Sequence, residues 1–255
     1  FQTEPVKLHK QQFLLSDDED FCLALAKEII RCKISNSLLI LRRHARHREI
    51  PEFDQAMGEL NRVLEALTKA KTLEQVRGHE GFAARQYFQA MATAVDPQWQ
   101  FSKRVKRPSV DPINALLSFG YTLLFYNVLS LLRLQGLNPH VGFLHPMRMG
   151  HPALVSDMVE EFRAIIVDAV ILNLVLNQRI SPTDFTIKPE SSACHIGQAT
   201  RRQFIQAMEK KMNSSITHPN SGLKLDYRRL IAHQAKHLAG VIRGTEENYQ
   251  GVVLK

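Results

Sequence analysis

The chain has 255 residues, of which 44% are hydrophobic and 23% charged, and a formal net charge of +8. This composition excludes a disordered chain and leaves room for one large domain or two smaller ones. Three cysteines without a C-x-x-C spacing exclude a disulfide framework and a zinc ribbon and suit a reducing compartment, and the basic excess only weakly favours a polyanion partner.

The N-terminal F-Q-T-E-P-V-K-L-H-K is polar and is no signal peptide. It lacks an initiator Met, so a processed chain or a fragment is expected. Strand signals are nearly absent and helical periodicity dominates, which predicts an all-α fold. Ser16 followed by Asp17, Asp18 and Glu19 marks a helix start, with acids at the positive end of the dipole. That helix is expected from Glu19 to about Arg48, with Phe21, Leu25, Ile29 and Cys32 on one stripe and a strongly basic end, L-R-R-H-A-R-H-R. A second helix is expected from Glu52 to about Lys69, and a third after Thr72. Residues 95–111 break the pattern with prolines, Trp99 and four cations and are read as a mobile basic loop. Asp111 caps the next helix, Pro112 suits its first position, and Gly136 ends it. This helix and residues 164–176 are apolar almost all round. They are expected as two buried central helices rather than membrane spans, because Asn114, Ser118, Asn127 and Ser130 interrupt the first. A polar connection over 178–195 and helices near 199–212 and 222–243 complete the chain.

Four residues stand out chemically. His145 lies on a tight turn, and Asp157 and Glu160 follow at i and i+3 on a helix, hence on one face. Glu80 lies between Gly78 and Gly81, where a ligand can approach closely. Imidazole plus carboxylates suits Mg²⁺ or Mn²⁺ better than structural zinc. Taken singly, such acids usually form a solvated helix face. His79-Glu80 does not open an H-E-x-x-H motif, since Ala83 stands at the second position. His233 and His237 share a basic face with no acid nearby. No phosphate-binding glycine motif occurs, and Ser118 lacks the flanking glycines of a hydrolase elbow.

Four ordered blocks resemble CRISPR-associated protein 1, the integrase that inserts spacers into CRISPR arrays. They are R-G-H-E-G-F-A-A-R-Q-Y-F (77–88), R-P-S-V-D-P-I-N-A-L-L-S-F-G-Y-T-L-L (107–124), G-L-N-P-H-V-G-F-L-H (136–145) and A-L-V-S-D-M-V-E-E-F-R (153–163). The C-terminal Y-R-R-L-I-A-H-Q-A-K-H-L and Tyr249 fit as well. The resemblance implies a single helical catalytic domain over 1–255, with 1–15 as a linker and the family's N-terminal β-domain not present. It implies Glu80, His145 and Glu160 as catalytic metal ligands, with Asp157 beside them, and a Mg or Mn cofactor. The activity implied is joining the 3′-OH of short duplexes to the phosphodiester at repeat borders.

DNA contacts are expected from Arg77, Arg85, Lys103, Arg104, Lys106, Arg107, Arg148 and Arg163, with Trp99 or Tyr121 stacking on a frayed base or, for Trp99, anchoring the loop. Implied partners are double-stranded DNA (spacer precursor and CRISPR repeat), CRISPR-associated protein 2, a second copy in a homodimer, and an upstream fused reverse transcriptase. A prokaryotic cytoplasm and no membrane are expected. Two competing readings are a non-catalytic helical DNA-binding module and an unrelated metal hydrolase.

Overall fold

The structure is a computed structural model that describes residues 4–46, 50–188, 190 and 192–254. Helices dominate it: α1 Glu4–Ser16, α2 Glu19–Ala45, α3 Pro51–Thr68, α4 Leu73–Ala94, α5 Pro112–Leu134, α6 Ala153–Val159, α7 Ala169–Leu176, α8 Gln198–Met212 and α9 Tyr227–Arg243. The expected end of α2 near Arg48 lies outside the described residues. Local chemistry explains the starts. Asp18, Thr72, Asp111 and Asp226 each accept a backbone N–H from the first turn of the helix they precede, filling donors that no carbonyl can reach. Gly136 follows α5 at φ +76, the left-handed conformation that favours glycine.

Helices α2, α3 and α4 pack on one another, and α5 packs on α6 and α9. Between α6 and α7 the chain adopts a π-helical turn, Arg163–Asp168, which packs against α2 and α5. Ile165, Ile166, Val167 and Ile171 are 0% exposed, so the second expected central helix is buried, though interrupted. The first is corrected. Only 39% of its most apolar window is buried, and Tyr126 and Leu134 are exposed. It is the one helix among the described residues that is long and apolar enough to cross a membrane. Its periodicity is blurred because aromatic and aliphatic side chains also occupy the face turned from the core.

The all-α expectation is also corrected. Two antiparallel hairpins are present: β1 Phe185–Lys188 with β2 Ala193–Ile196, in register Phe185↔Ile196, and β3 Ser215–Thr217 with β4 Lys224–Asp226, in register Ser215↔Asp226. The first lies inside what the sequence presents as a polar connection. Strands of three or four residues carry too few side chains to show a period of two, and their stabilising pairs are cross-strand.

Two terminal segments position the interior. The expected linker over 1–15 instead contributes most of α1. Gln12 is fully buried and donates to the carbonyls of Asn138 and Val141 at 2.8 Å each, while its carbonyl accepts from Asn138 N at 2.9 Å. This pins the loop that leads to His145. At the other end, Asn36 donates to the carbonyls of Glu161 and Val252 at 2.9 and 2.8 Å, and Glu161 accepts from the Tyr249 hydroxyl at 2.5 Å. The last residues are thereby clasped to α2 and to the chain just after α6. Burial pushes the Glu161 carboxyl up to about 7.

Candidate active site

The fold brings Glu80, His145 and Glu160 to one cleft of about 790 Å³, which Lys33, His151, Ser156 and Arg163 also line. Each ligand candidate arrives on a different element. Glu80 stands on α4, His145 on the turn after residues 138–144, and Glu160 at the C-cap of α6.

The turn carrying His145 is built around Asp157, which is 0% exposed. Its Oδ2 accepts from the backbone N–H of Phe143 at 2.7 Å and of Leu144 at 3.1 Å. Its Oδ1 accepts from His145 N at 2.9 Å and from His145 Nδ1 at 2.7 Å. A carboxylate on Nδ1 fixes the proton there and leaves Nε2 with its lone pair, the usual second-shell arrangement of a metal-binding histidine. Asp157, expected beside the other three as a ligand, has both oxygens engaged by the turn. Gly142 makes room, since a Cβ there would lie 2.8 Å from Ala153 and 2.9 Å from Asp157 Oδ2.

Glu160 is 4% exposed. It pairs with Lys33 Nζ at 2.6 Å and with Arg163 at 3.2 Å. Burial alone would raise its carboxyl, but Arg163 and Lys33 outweigh that and hold it at about 2. Its Oε2 has the Lys33 ion pair yet no hydrogen bond of good geometry. Glu80 meets the same ammonium. Among the described residues no three acidic, histidine or cysteine side chains stand gathered as a ready coordination group; the two carboxylates meet on Lys33 instead. The donor set nevertheless fits a hard divalent ion: two carboxylates, an imidazole nitrogen oriented by a third carboxylate, that of Asp157, and an under-satisfied buried oxygen.

Behind Glu160 the π-helical turn carries Arg163 and Asp168 to opposite ends of Tyr121. The guanidinium lies 4.7 Å from the ring centroid, and the hydroxyl donates to Asp168 Oδ1 at 2.7 Å. Such turns recur at functional sites, where they re-aim side chains. Tyr121 is thus engaged on its face and its hydroxyl and is unavailable to stack on a base. Burial lifts the Asp168 carboxyl to about 6, against the pull of the Tyr121 hydrogen bond. An acid easier to protonate in the fold than in the unfolded chain costs stability as pH rises between its unfolded value, about 4, and its folded one. Asp168→Asn keeps the acceptor for Tyr121. Relative to the native chain it should gain about 2–3 kcal/mol of stability between pH 4 and 7. A difference that stays constant across that window in thermal melts would contradict this.

The eight expected DNA-contacting cations divide into three groups. Arg85, Lys103, Lys106 and Arg107 are exposed and line the cleft. Arg104 and Arg163 also line the cleft but, like Arg77, are engaged by contacts within the protein. Arg77 donates twice to the Leu144 carbonyl, at 3.1 and 2.6 Å, holding the His145 turn. Arg104 donates to Asn114 Oδ1 at 2.8 Å and to Ser118 Oγ at 3.1 Å. Arg163 serves Glu160 and Tyr121. Arg148 is exposed on a turn paired with His151, outside the cleft lining. Trp99 is 3% exposed against Phe185, an anchor rather than a stacking platform. The loop expected to be mobile is tied there, and also where Asn114 bonds Lys103 O at 2.9 Å and Val105 N at 2.8 Å and where Cys194 N bonds Ser109 O at 2.7 Å.

Sequence reasoning missed Lys33, His151 and Asp168. Lys33 lies 47 residues before Glu80 on a helix whose pattern reads as core, so spacing offers no signal. His151, whose Nε2 lies 3.2 Å from Ser156 Oγ, sits close after His145 and could have been flagged from that alone.

The site is thus a cation-rimmed cleft in a helical domain, with two carboxylates and an oriented imidazole on its wall. The sequence matches the model of the family described as CRISPR associated protein Cas1 over residues 2–210, and the chain belongs to that family. It is 37% identical to the CRISPR-associated endonuclease Cas1 1 of Moorella thermoacetica, covering 94% of this chain and 72% of that protein. It is 34% identical to the CRISPR-associated endonuclease Cas1 of Leptospira interrogans, covering 95% and 97%. A Cas4 exonuclease/Cas1 endonuclease fusion from Rhodospirillum rubrum is 36% identical, covering 93% of this chain and 42% of the fusion. Among solved structures, a casposase bound to integration product superposes with a TM-score of 0.87 at 25% identity, over 96% of this chain and 67% of that one. A Cas6-RT-Cas1–Cas2 complex also superposes with a TM-score of 0.87 at 25% identity, over 98% of this chain and 27% of that one. The expectation that the family's N-terminal β-domain is absent is withdrawn: the family match begins at residue 2 and the structure spans the chain.

Proposed function

We propose that this chain is the catalytic domain of a CRISPR spacer-acquisition integrase, cutting and joining DNA phosphodiesters with a divalent cation held by Glu80, His145 and Glu160. The observation that carries this reading is the convergence of the three side chains in a cleft rimmed by exposed cations. A small-substrate hydrolase would have no use for that rim, whereas a duplex needs it to position its phosphates.

A bound Mg²⁺ or Mn²⁺ would supply Lewis acidity at the reacting phosphate and stabilise the attacking and leaving oxygens. The chain's own residues do the rest. Asp157 holds the Nδ1 proton of His145, so Nε2 keeps its lone pair toward the cleft. Arg163, stacked on Tyr121, keeps Glu160 ionised. Arg85, Lys103, Lys106 and Arg107 hold the duplex backbone without reading sequence. The substrates proposed are a spacer-precursor duplex and the CRISPR repeat. The proposed partners are a second copy of this chain and CRISPR-associated protein 2, which would bridge two active sites at a fixed distance. An upstream fused reverse transcriptase is a further proposed partner, as in the Cas6-RT-Cas1–Cas2 complex that this fold resembles. The test is strand transfer of a labelled duplex into repeat-containing DNA with Mn²⁺: joined product supports the proposal, and duplex binding without joining or cleavage contradicts it.

The rim makes a separable prediction. Lys106→Ala or Arg107→Ala should each lower the slope of log K against log salt for duplex binding by roughly one. Arg77→Ala should leave that slope unchanged while lowering joining, because Arg77 holds the His145 turn. A slope that falls in the Arg77 variant would return Arg77 to the DNA-contacting set.

A further inference from the structure

Lys33 has no role in the chemistry above, yet it stands at its centre. It comes from α2, whereas the ligand candidates come from α4, the 138–145 turn and the end of α6. Its side chain is 13% exposed and its Nζ touches both Glu80 and Glu160. The Ser37 hydroxyl, one turn further on, donates to the Lys33 carbonyl at 2.9 Å, so the backbone beneath it is fixed in the helix. Charge balance then gives the contact a meaning. The carboxylates of Glu80 and Glu160 are already matched by two cations, Lys33 and Arg163, and the one further carboxylate nearby, Asp157, is committed to the His145 turn. A divalent ion placed between Glu80 and Glu160 therefore comes up against an ammonium already seated there, which is unfavourable unless that cation departs. Arg163 is held by the face of Tyr121 at 4.7 Å. Lys33 has a flexible four-carbon stem and already lines the open cleft.

We propose that Lys33 is an internal counter-cation that occupies the place of the divalent ion between Glu80 and Glu160, and that it must swing into the cleft for the ion to bind. It keeps the paired carboxylates folded and close together, and it sets the metal concentration at which the site loads. This inference rests on the metal reading of the site.

The experiment is calorimetric titration of Mn²⁺ into the native chain and its Lys33→Met and Lys33→Arg variants at one fixed pH, with circular dichroism confirming the fold. Lys33→Met should bind Mn²⁺ at least about tenfold more tightly, and Lys33→Arg no more tightly than the native chain. Should Lys33→Met fail to fold, the native chain still answers. Saturating Mn²⁺ should raise acetylation of Lys33 by acetic anhydride, which transfers acetyl to Nζ and releases acetate, several-fold, read by mass spectrometry, because the ammonium leaves its carboxylate cage. Native binding with an unchanged or weaker constant in Lys33→Met, or labelling that does not rise, overturns the competition while leaving the metal reading intact. A native chain that takes up no Mn²⁺ overturns both.

Discussion

Replacing His145 by Ala should reduce metal-dependent cleavage and joining of DNA by at least about 10³-fold, equivalent to about 4 kcal/mol of transition-state stabilisation. Duplex affinity should change less than about threefold, because phosphate contacts from the rim dominate binding and His145 makes none of them. His145 sits on the cleft wall with its Nδ1 held by Asp157 at 2.7 Å, so truncation removes the nitrogen proposed as a ligand and leaves the turn's backbone hydrogen bonds in place. The variant should melt close to the native chain. Activity within tenfold of native in a labelled-duplex assay would remove His145 from the chemistry, and a parallel collapse of duplex affinity would show that its role is binding.

Asp157→Ala should have the largest effect on stability, and it should silence the site as well. The carboxylate is fully buried and accepts four hydrogen bonds, three of them from the backbone of 143–145. Removing it leaves three N–H donors short of a partner, at about 1–3 kcal/mol each where water cannot replace it. A loss of about 4 kcal/mol is expected, at the exceptional end for a single substitution. Asp157→Asn should cost less in stability but still weaken metal affinity about 10–100-fold, because the amide cannot accept from Nδ1 and all three backbone donors at once. Urea denaturation measures the first effect and Mn²⁺ titration the second. An Asp157→Ala chain within about 1 kcal/mol of native would mean that the turn holds itself without the carboxylate.

These expectations divide according to what the chain makes visible in one dimension. Helix starts were legible because caps act within three residues: Thr72 and Asp111 each reach the N–H of their own first turn, whereas at α2 the cap is Asp18 and Ser16, read as the start, ends α1. Glu80, His145 and Glu160 were legible through their ordered blocks, whose residues surround each of them in sequence. The hydrogen bonds of Asp157 to the 143–145 turn are not legible, because a face shared at i and i+3 says nothing about the turn packed behind it. The contacts that Arg77, Arg104 and Arg163 make within the protein are hidden in the sequence for a related reason. A basic residue in a basic chain looks like a phosphate contact until a carbonyl or an aromatic face is found to hold it. Lys33 and the two hairpins were illegible because their partners are distant in sequence or too short to show a period. The apolar run of α5 concealed its exposed face, since periodicity disappears when both faces carry large side chains.

The central claim is that Glu80, His145 and Glu160 form one divalent-metal site, and anomalous diffraction from crystals soaked in Mn²⁺ tests it most directly. The account predicts one strong anomalous peak within coordinating distance of a Glu80 oxygen, His145 Nε2 and a Glu160 oxygen, with Asp157 still bonded to the 143–145 turn. A peak elsewhere in the cleft, or one ligated by Asp157 in place of His145, would contradict it.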